Sequence, residues 1–371
     1  MPFARSFAVV RVVVAALVLL AVTATTLPAQ DSERPPSEAW AALERGDHAK
    51  AASILREELD RSPRNAWLHF GAGYAALALG RTDAAIASLK RALEYNPNFF
   101  QALVLLSQAA YQSADLDLAV RSLEKAAALA PAAPGIAKQL EEWRAEAALH
   151  GRFEQRPGVR FNVLFEGPAE RAISDRVAAV LESKYWSLGK TLNTYPGETL
   201  TVILYSNQQF QDITRAPAWA GGGYDGRIRL PVSGALRSPR SLDRVVTHEL
   251  VHFMIRTAAP TGAPTWVHEG LASYLESADH TWAPKTLRAA NVRISLADLA
   301  GGFERFDADL AAVAYAESLV AGQLLCERLG ANVGTFLQML GSGHTVDQAL
   351  STLNVPPDTF TAEWQRRVGL H

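Results

Sequence analysis

The sequence predicts an α+β protein, with an all-helical N-terminal array followed by a domain that carries a small mixed sheet and a helical C-terminal part. Three observations carry this. Pro63, Pro97 and Pro131 recur every 34 residues, and Ala51, Ala85, Ala119 and Leu55, Leu89, Leu123 keep the same step. Between Phe161 and Pro231, short apolar runs rich in β-branched and aromatic residues alternate with one long helical pattern. Further on, "SLDRVVTHELVHFMI", "TWVHEGLASYLE" and "AVAYAESLVAGQLLCERLG" read as helices.

The chain has 371 residues, which suggests two or three domains. It is 49% hydrophobic and 20% charged with a formal net charge of -2, a soluble globular balance. No basic patch stands out, so nucleic acid is not an expected partner. The N-terminus departs from this composition. Arg5 and Arg11 precede an apolar run from Val12 to Val22, and small and polar residues follow. The run is short for a membrane span, which needs about 20 residues. Residues 1–29 read as a secretory signal peptide with a cut after Ala29, and an uncleaved anchor is the competing reading. With the leader removed, no stable membrane span is expected. The expected location is outside the cytoplasm, in a bacterial periplasm or beyond the cell. Cys326 is the only cysteine, so no intramolecular disulfide can form, and its helical setting suits a small buried hydrophobe.

Residues 35–150 form the array. The small residues Gly46, Gly80 and Ala114 fall in step with the prolines. Each unit reads as helix-turn-helix: a small residue at the turn, Leu and Ala packing between the helices, and proline ending the second one because it cannot continue the hydrogen-bond ladder. In "NAWLHFGAGYAALALGRTDAAIASLKRALEYNP", Ala66 to Tyr74 would form much of the first helix and Asp83 to Tyr95 the second. This unit resembles a tetratricopeptide repeat. About three units are expected, closed by a capping helix in "GIAKQLEEWRAEAALH". Such arrays present a concave surface to a protein partner; bracing the next domain is the other reading.

The second domain is expected over residues 158–368. Phe161 to Phe165 and Leu200 to Tyr205 read as strands, with a helix from Ala169 to Leu188 between them. The glycine-rich "AWAGGGYDGRIRLPV" leads to a third strand at Arg227 to Pro231. It lacks GxGxxG spacing, so it is not read as a nucleotide cradle. If the domain is a protease, Ile228 to Leu230 could border the cleft and pair with an extended peptide.

Next comes His248-Glu249-Leu250-Val251-His252, the HExxH pattern, on a helix that Ser241 can cap. Histidines four apart share a helix face, so both imidazoles can meet one ion. Zinc accepts such nitrogens at about 2.0–2.1 Å. Glu249 is rotated off that line yet close enough to act as a general base. A catalytic zinc usually has three protein ligands. Position 258 is Ala and position 255 is Ile, so the third does not follow at the HExxHxxGxxH spacing.

Glu269 lies 17 residues after His252, in a second helix that Thr265 can cap beyond the breaking loop "TAAPTGAP". Two antiparallel helices joined by that loop would turn Glu269 toward both histidines and complete a His2Glu set. His268 is the rival ligand, but it points about 100° away round the helix. Gly270 either admits another backbone closely or relieves crowding beside the metal. Ala272 and Ser273 are small and would keep the same face open.

"HELVH" with "WVHEGLASYLE" resembles the gluzincin metallopeptidases, a thermolysin-like superfamily, and most closely its peptidase MA-like domains. Trp266, Glu269, Gly270, Ala272 and Tyr274 match the W-x-x-E-G-x-A-x-Y pattern of those domains. The resemblance implies zinc on His248, His252 and Glu269, water activation by Glu249, and hydrolysis of a peptide or protein substrate. It also points to an oxyanion donor on a later helix, where Tyr315 stands; a plain core tyrosine is the alternative. Tyr274 is a second candidate in a position that suits packing, and His344 reads as a surface turn residue. No Gly-x-Met-Glu-Asn segment is present, which counts against an aminopeptidase of that subtype. The competing function is a non-catalytic repeat protein whose zinc site is structural or vestigial.

Overall fold

The computed structural model describes residues 5–6, 38–214, 220–232 and 238–369. Apart from Arg5–Ser6, the expected signal peptide lies outside the described residues. The chain divides into two compact units, one of residues 10–152 and the other of residues 153–371 together with residues 1–9.

The first unit is helical throughout its described residues. It contains α1 (Glu38–Glu44), α2 (His48–Arg61), α3 (Ala66–Ala78), α4 (Thr82–Tyr95), α5 (Phe100–Gln112), α6 (Leu116–Leu129) and α7 (Ile136–His150). The repeating positions do what their step implies. Ala51, Ala85 and Ala119 and Leu55, Leu89 and Leu123 are all buried between helices. A Cβ on Gly73 would sit 2.6 Å from Leu89, so α3 and α4 pack with no room for one. Asp47 and Asp115 cap α2 and α6 through their side chains. The in-step residues Gly46, Gly80 and Ala114 stand at the turns between helices. All three have positive φ, at 80°, 71° and 65°, and turn the chain from one helix into the next. Glycine takes that conformation at no steric cost, whereas Ala114 takes it at some strain.

The second unit is built on one sheet. Its strands are β1 (Arg5–Ser6), β2 (Glu154–Arg156), β3 (Phe161–Phe165), β4 (Leu200–Tyr205), β5 (Ala220–Tyr224) and β6 (Ile228–Pro231), in the order β1-β5-β6-β4-β3-β2. β3, β4 and β6 run parallel, while β2 and β5 pair antiparallel with β3 and β6. The strand at 228–231 is therefore interior, flanked by β4 and β5. Its backbone groups are already paired, so it cannot take an incoming peptide as the sequence suggested. The glycine-rich stretch before it is itself a strand, β5, which sits outside β6 and, among the described residues, has only the two-residue β1 beyond it.

The long crossover helix α8 (Arg171–Leu192) joins β3 to the parallel β4, and the short α9 (Asn207–Thr214) follows β4. Phe161, Val163, Phe165, Leu200, Val202, Leu204, Ile228 and Leu230 alternate along the strands and face one core with Val177, Leu181 and Leu188 of α8.

The remaining helices are α10 (Pro239–Ala258), α11 (Thr265–Leu275), α12 (Trp282–Ala289), α13 (Ala308–Leu329), α14 (Val333–Gly341), α15 (Val346–Thr352) and α16 (Pro357–Val368). Two helix starts differ from the expected caps. α10 begins after Ser238 with Pro239 in its first turn, so Ser241 is already inside the helix. Pro264 holds the N-cap position of α11, so Thr265 opens the helix rather than capping it. Ala308–Gly341 is long and apolar enough to cross a membrane, yet 67% of its most apolar window is buried, which is the burial of a core element. Cys326 packs against the same core, and burial pushes its thiol up to about 12.

Candidate active site

The site forms where α10 and α11 lie against each other. On α10, Leu242, Val245, Val246, Leu250, Val251 and Met254 are buried in the core and fix the roll of the helix. His248 and His252 then share one face, with ring centroids 4.8 Å apart. The helix ends at Ala258 because Pro260 drives the preceding residue to extended backbone. A short loop reverses the chain into α11.

The roll of α11 is fixed by glycine. A Cβ on Gly270 would lie 2.2 Å from the carbonyl oxygen of Ser318, and one on Gly322 would lie 2.3 Å from the carbonyl carbon of Gly270. So α11 and α13 touch backbone to backbone at Gly270 and Gly322. Of the two readings of Gly270, close approach of another backbone is the correct one. With Gly270 turned to α13, the preceding Glu269 turns to α10.

Glu269 Oε2 lies 3.3 Å from His248 Nε2 and 3.6 Å from His252 Nε2. One ligand atom from each of the three residues lies within 4.8 Å of the others. Atoms that share a tetrahedral zinc at about 2.0–2.1 Å stand about 3.3 Å apart, so the spacing suits such an ion. All three residues are buried, Glu269 with 1% of its surface exposed. The Nε2 of His252 is buried without a hydrogen-bond partner, although it faces Glu269. A buried ring nitrogen left without a hydrogen bond is a costly arrangement that a cation would satisfy. The donor set, two imidazoles and one carboxylate, matches zinc chemistry.

Glu249 is completely buried beside this cluster on α10. Its carboxylate lies against β5: a Cβ on Gly222 would come within 2.9 Å of Glu249 Oε1. The glycine-rich strand thus leaves space for the carboxylate at the sheet margin. Burial alone would lower the pKa of His248, but its hydrogen bonds to Glu269 and Glu276 outweigh this and raise it to about 10. Burial likewise acts to raise the pKa of Glu269, and the two histidines overcome it and hold the carboxyl near 2.

The other expected residues fall as follows. His268 is half-buried and its ring packs against His252 at 5.7 Å between centroids, outside the three-residue cluster. Tyr315 is 4% exposed on α13 and packs edge-on to Phe303, the surroundings of a core ring. Tyr274 is half-buried and stacks on His280. His344 is exposed and bonds back to the carbonyl of Met339, as a turn residue does. Ala272 and Ser273 are buried, so they serve packing rather than an open approach.

Two residues were missed in the sequence. Glu276 lies within hydrogen-bond distance of His248 Nδ1, at 2.7 Å, and Arg244 donates to the other oxygen of Glu276 at 2.9 Å. Periodicity carried the signal. Glu276 is seven residues after Glu269 and Arg244 is four before His248, so each shares a face with a residue of the cluster.

Comparison with known families gives matching results for both units. Residues 188–368 match the Peptidase MA superfamily. Residues 42–98 and 100–132 match tetratricopeptide repeats. No curated protein matches the chain.

Proposed function

With residues 188–368 forming a Peptidase MA superfamily domain behind tetratricopeptide repeats, we propose that the chain is a zinc metallopeptidase of the gluzincin type. The observation that carries this reading is the convergence of His248 Nε2, His252 Nε2 and Glu269 Oε2 beside the buried carboxylate of Glu249. His248, His252 and Glu269 would hold the ion. Zinc, when bound, supplies Lewis-acid polarisation of a carbonyl and brings the pKa of a water toward neutrality.

The chain's own residues do the rest. Glu249 takes the proton of the attacking water and returns it to the leaving amine, so the same carboxylate serves as base and then acid. Burial of the site excludes bulk water and strengthens each of these interactions. For the developing oxyanion the resemblance offers Tyr315, whose ring packs in the core against Phe303, so its role rests on that resemblance and is tested by Tyr315→Phe, which should lower cleavage with zinc content unchanged. Removal of the leader takes β1 with it and leaves β5 as the margin of the sheet, next to Glu249. Its free backbone groups can then pair with an extended peptide, the role the sequence had suggested for the interior β6. The repeat array recruits a protein partner or presents the substrate. The leader directs the protein out of the cytoplasm, to the periplasm or beyond.

The test is metal removal. Cleavage of a peptide library by the purified protein should be abolished by a chelator and restored by zinc. Cleavage that survives complete zinc removal would contradict the proposal.

A further inference from the structure

The geometry points to Glu276, held by Arg244, as the positioning residue that sets how tightly the His248–His252–Glu269 site holds its ion. This rests on the metallopeptidase reading and adds to it a residue that touches neither metal nor substrate.

Glu276 stands at the C-cap of α11, two helical turns beyond Glu269. Its largely buried carboxylate meets two side chains of α10 that are four residues apart. One oxygen lies 2.7 Å from His248 Nδ1, and the other lies 2.9 Å from Arg244 Nε. A neutral imidazole carries one proton. With that proton on Nδ1 and donated to Glu276, the lone pair is on Nε2, the nitrogen that faces Glu269 at 3.3 Å. Glu276 therefore selects the tautomer that can bind metal and fixes the plane of the ring.

Arg244 has two effects. It holds the second oxygen of Glu276, so the carboxylate cannot swing away from His248. With both its oxygens engaged, by His248 and Arg244, Glu276 is held away from the cluster, and Glu269 is left to serve as the carboxylate ligand. Groups that orient a metal-bound histidine in this way change metal affinity by about 10–100-fold when removed.

The experiment uses the full chain with zinc affinity read by chelator competition, alongside thermal unfolding of the zinc-free protein. Glu276→Ala is expected to weaken zinc binding by about 10–100-fold. Glu276→Gln keeps the shape and one acceptor, guards against a folding failure, and should lose less. Glu276→Asp should recover part of the affinity, and Arg244→Met should weaken binding in the same direction as Glu276→Gln. A purely structural role would lower the unfolding temperature of the zinc-free variants and leave zinc affinity unchanged; that result overturns the inference while leaving the metallopeptidase reading intact. A wild-type chain that takes up no zinc overturns both.

Discussion

Replacing Glu249 by Gln should leave zinc bound and reduce peptide hydrolysis by about 10³-fold or more, within the range of general base losses. The substitution is nearly isosteric, and the site gives no reason for it to disturb the ligands. Glu249 is on the same helix as His248 and His252 but outside the cluster they form with Glu269. Its carboxylate is buried and packed beside Gly222 of β5, so Gln fills the same volume. What Gln cannot do is accept a proton from water. Zinc content and steady-state cleavage of one substrate, measured on the same preparation, separate the two effects. Equal activity in the variant would remove Glu249 from the mechanism. Loss of zinc together with activity would instead show that the residue supports the metal.

The second large effect is expected at a residue with no side chain, Gly270, next to Glu269. Gly270→Ala should destabilise the C-terminal unit by about 3 kcal/mol or more, at the upper end of overpacking costs. The added methyl would meet the Ser318 carbonyl oxygen at 2.2 Å, and backbone cannot step aside as a side-chain end can. A unit of this size loses about 2–4 °C per kcal/mol, so the unfolding temperature should fall by about 6–12 °C. Any relief must come from α11 moving off α13. That movement carries Glu269 with it, so the surviving folded protein should also bind zinc more weakly. Gly322→Ala presses on the same crossing from the other helix and should behave alike. A Gly270→Ala protein with unchanged melting would show that the two helices do not meet backbone to backbone.

Much of this was legible in the sequence for reasons that are local. The 34-residue step fixes helix pairs because each repeat uses the same residues for the same contacts, as Leu55, Leu89 and Leu123 do. HExxH places two histidines on one face by helix geometry alone. Strands β3, β4 and β6 stood out because β-branched and aromatic residues alternate in them. β5 did not, since "AGGGY" has almost no side chains to show a period, and its pairing comes from β6 rather than from its own propensity. For the same reason, sequence order made β6 look like a sheet edge when β5 in fact lies outside it. The role of Gly270 was open because a missing side chain says only that something comes close. Its partner, Ser318 on α13, is 48 residues away in sequence. Glu276 was readable at helical spacing from Glu269, but its target lies on another helix, and only the packing of α11 on α10 brings them together.

The most direct measurement is zinc stoichiometry on the purified chain and on its Glu269→Ala variant. One zinc per wild-type chain, with most of it lost in the variant, is the expected result, since ligand-type atoms of His248, His252 and Glu269 converge within 4.8 Å of one another. A wild-type chain without zinc, or a variant that keeps a full equivalent, would contradict it.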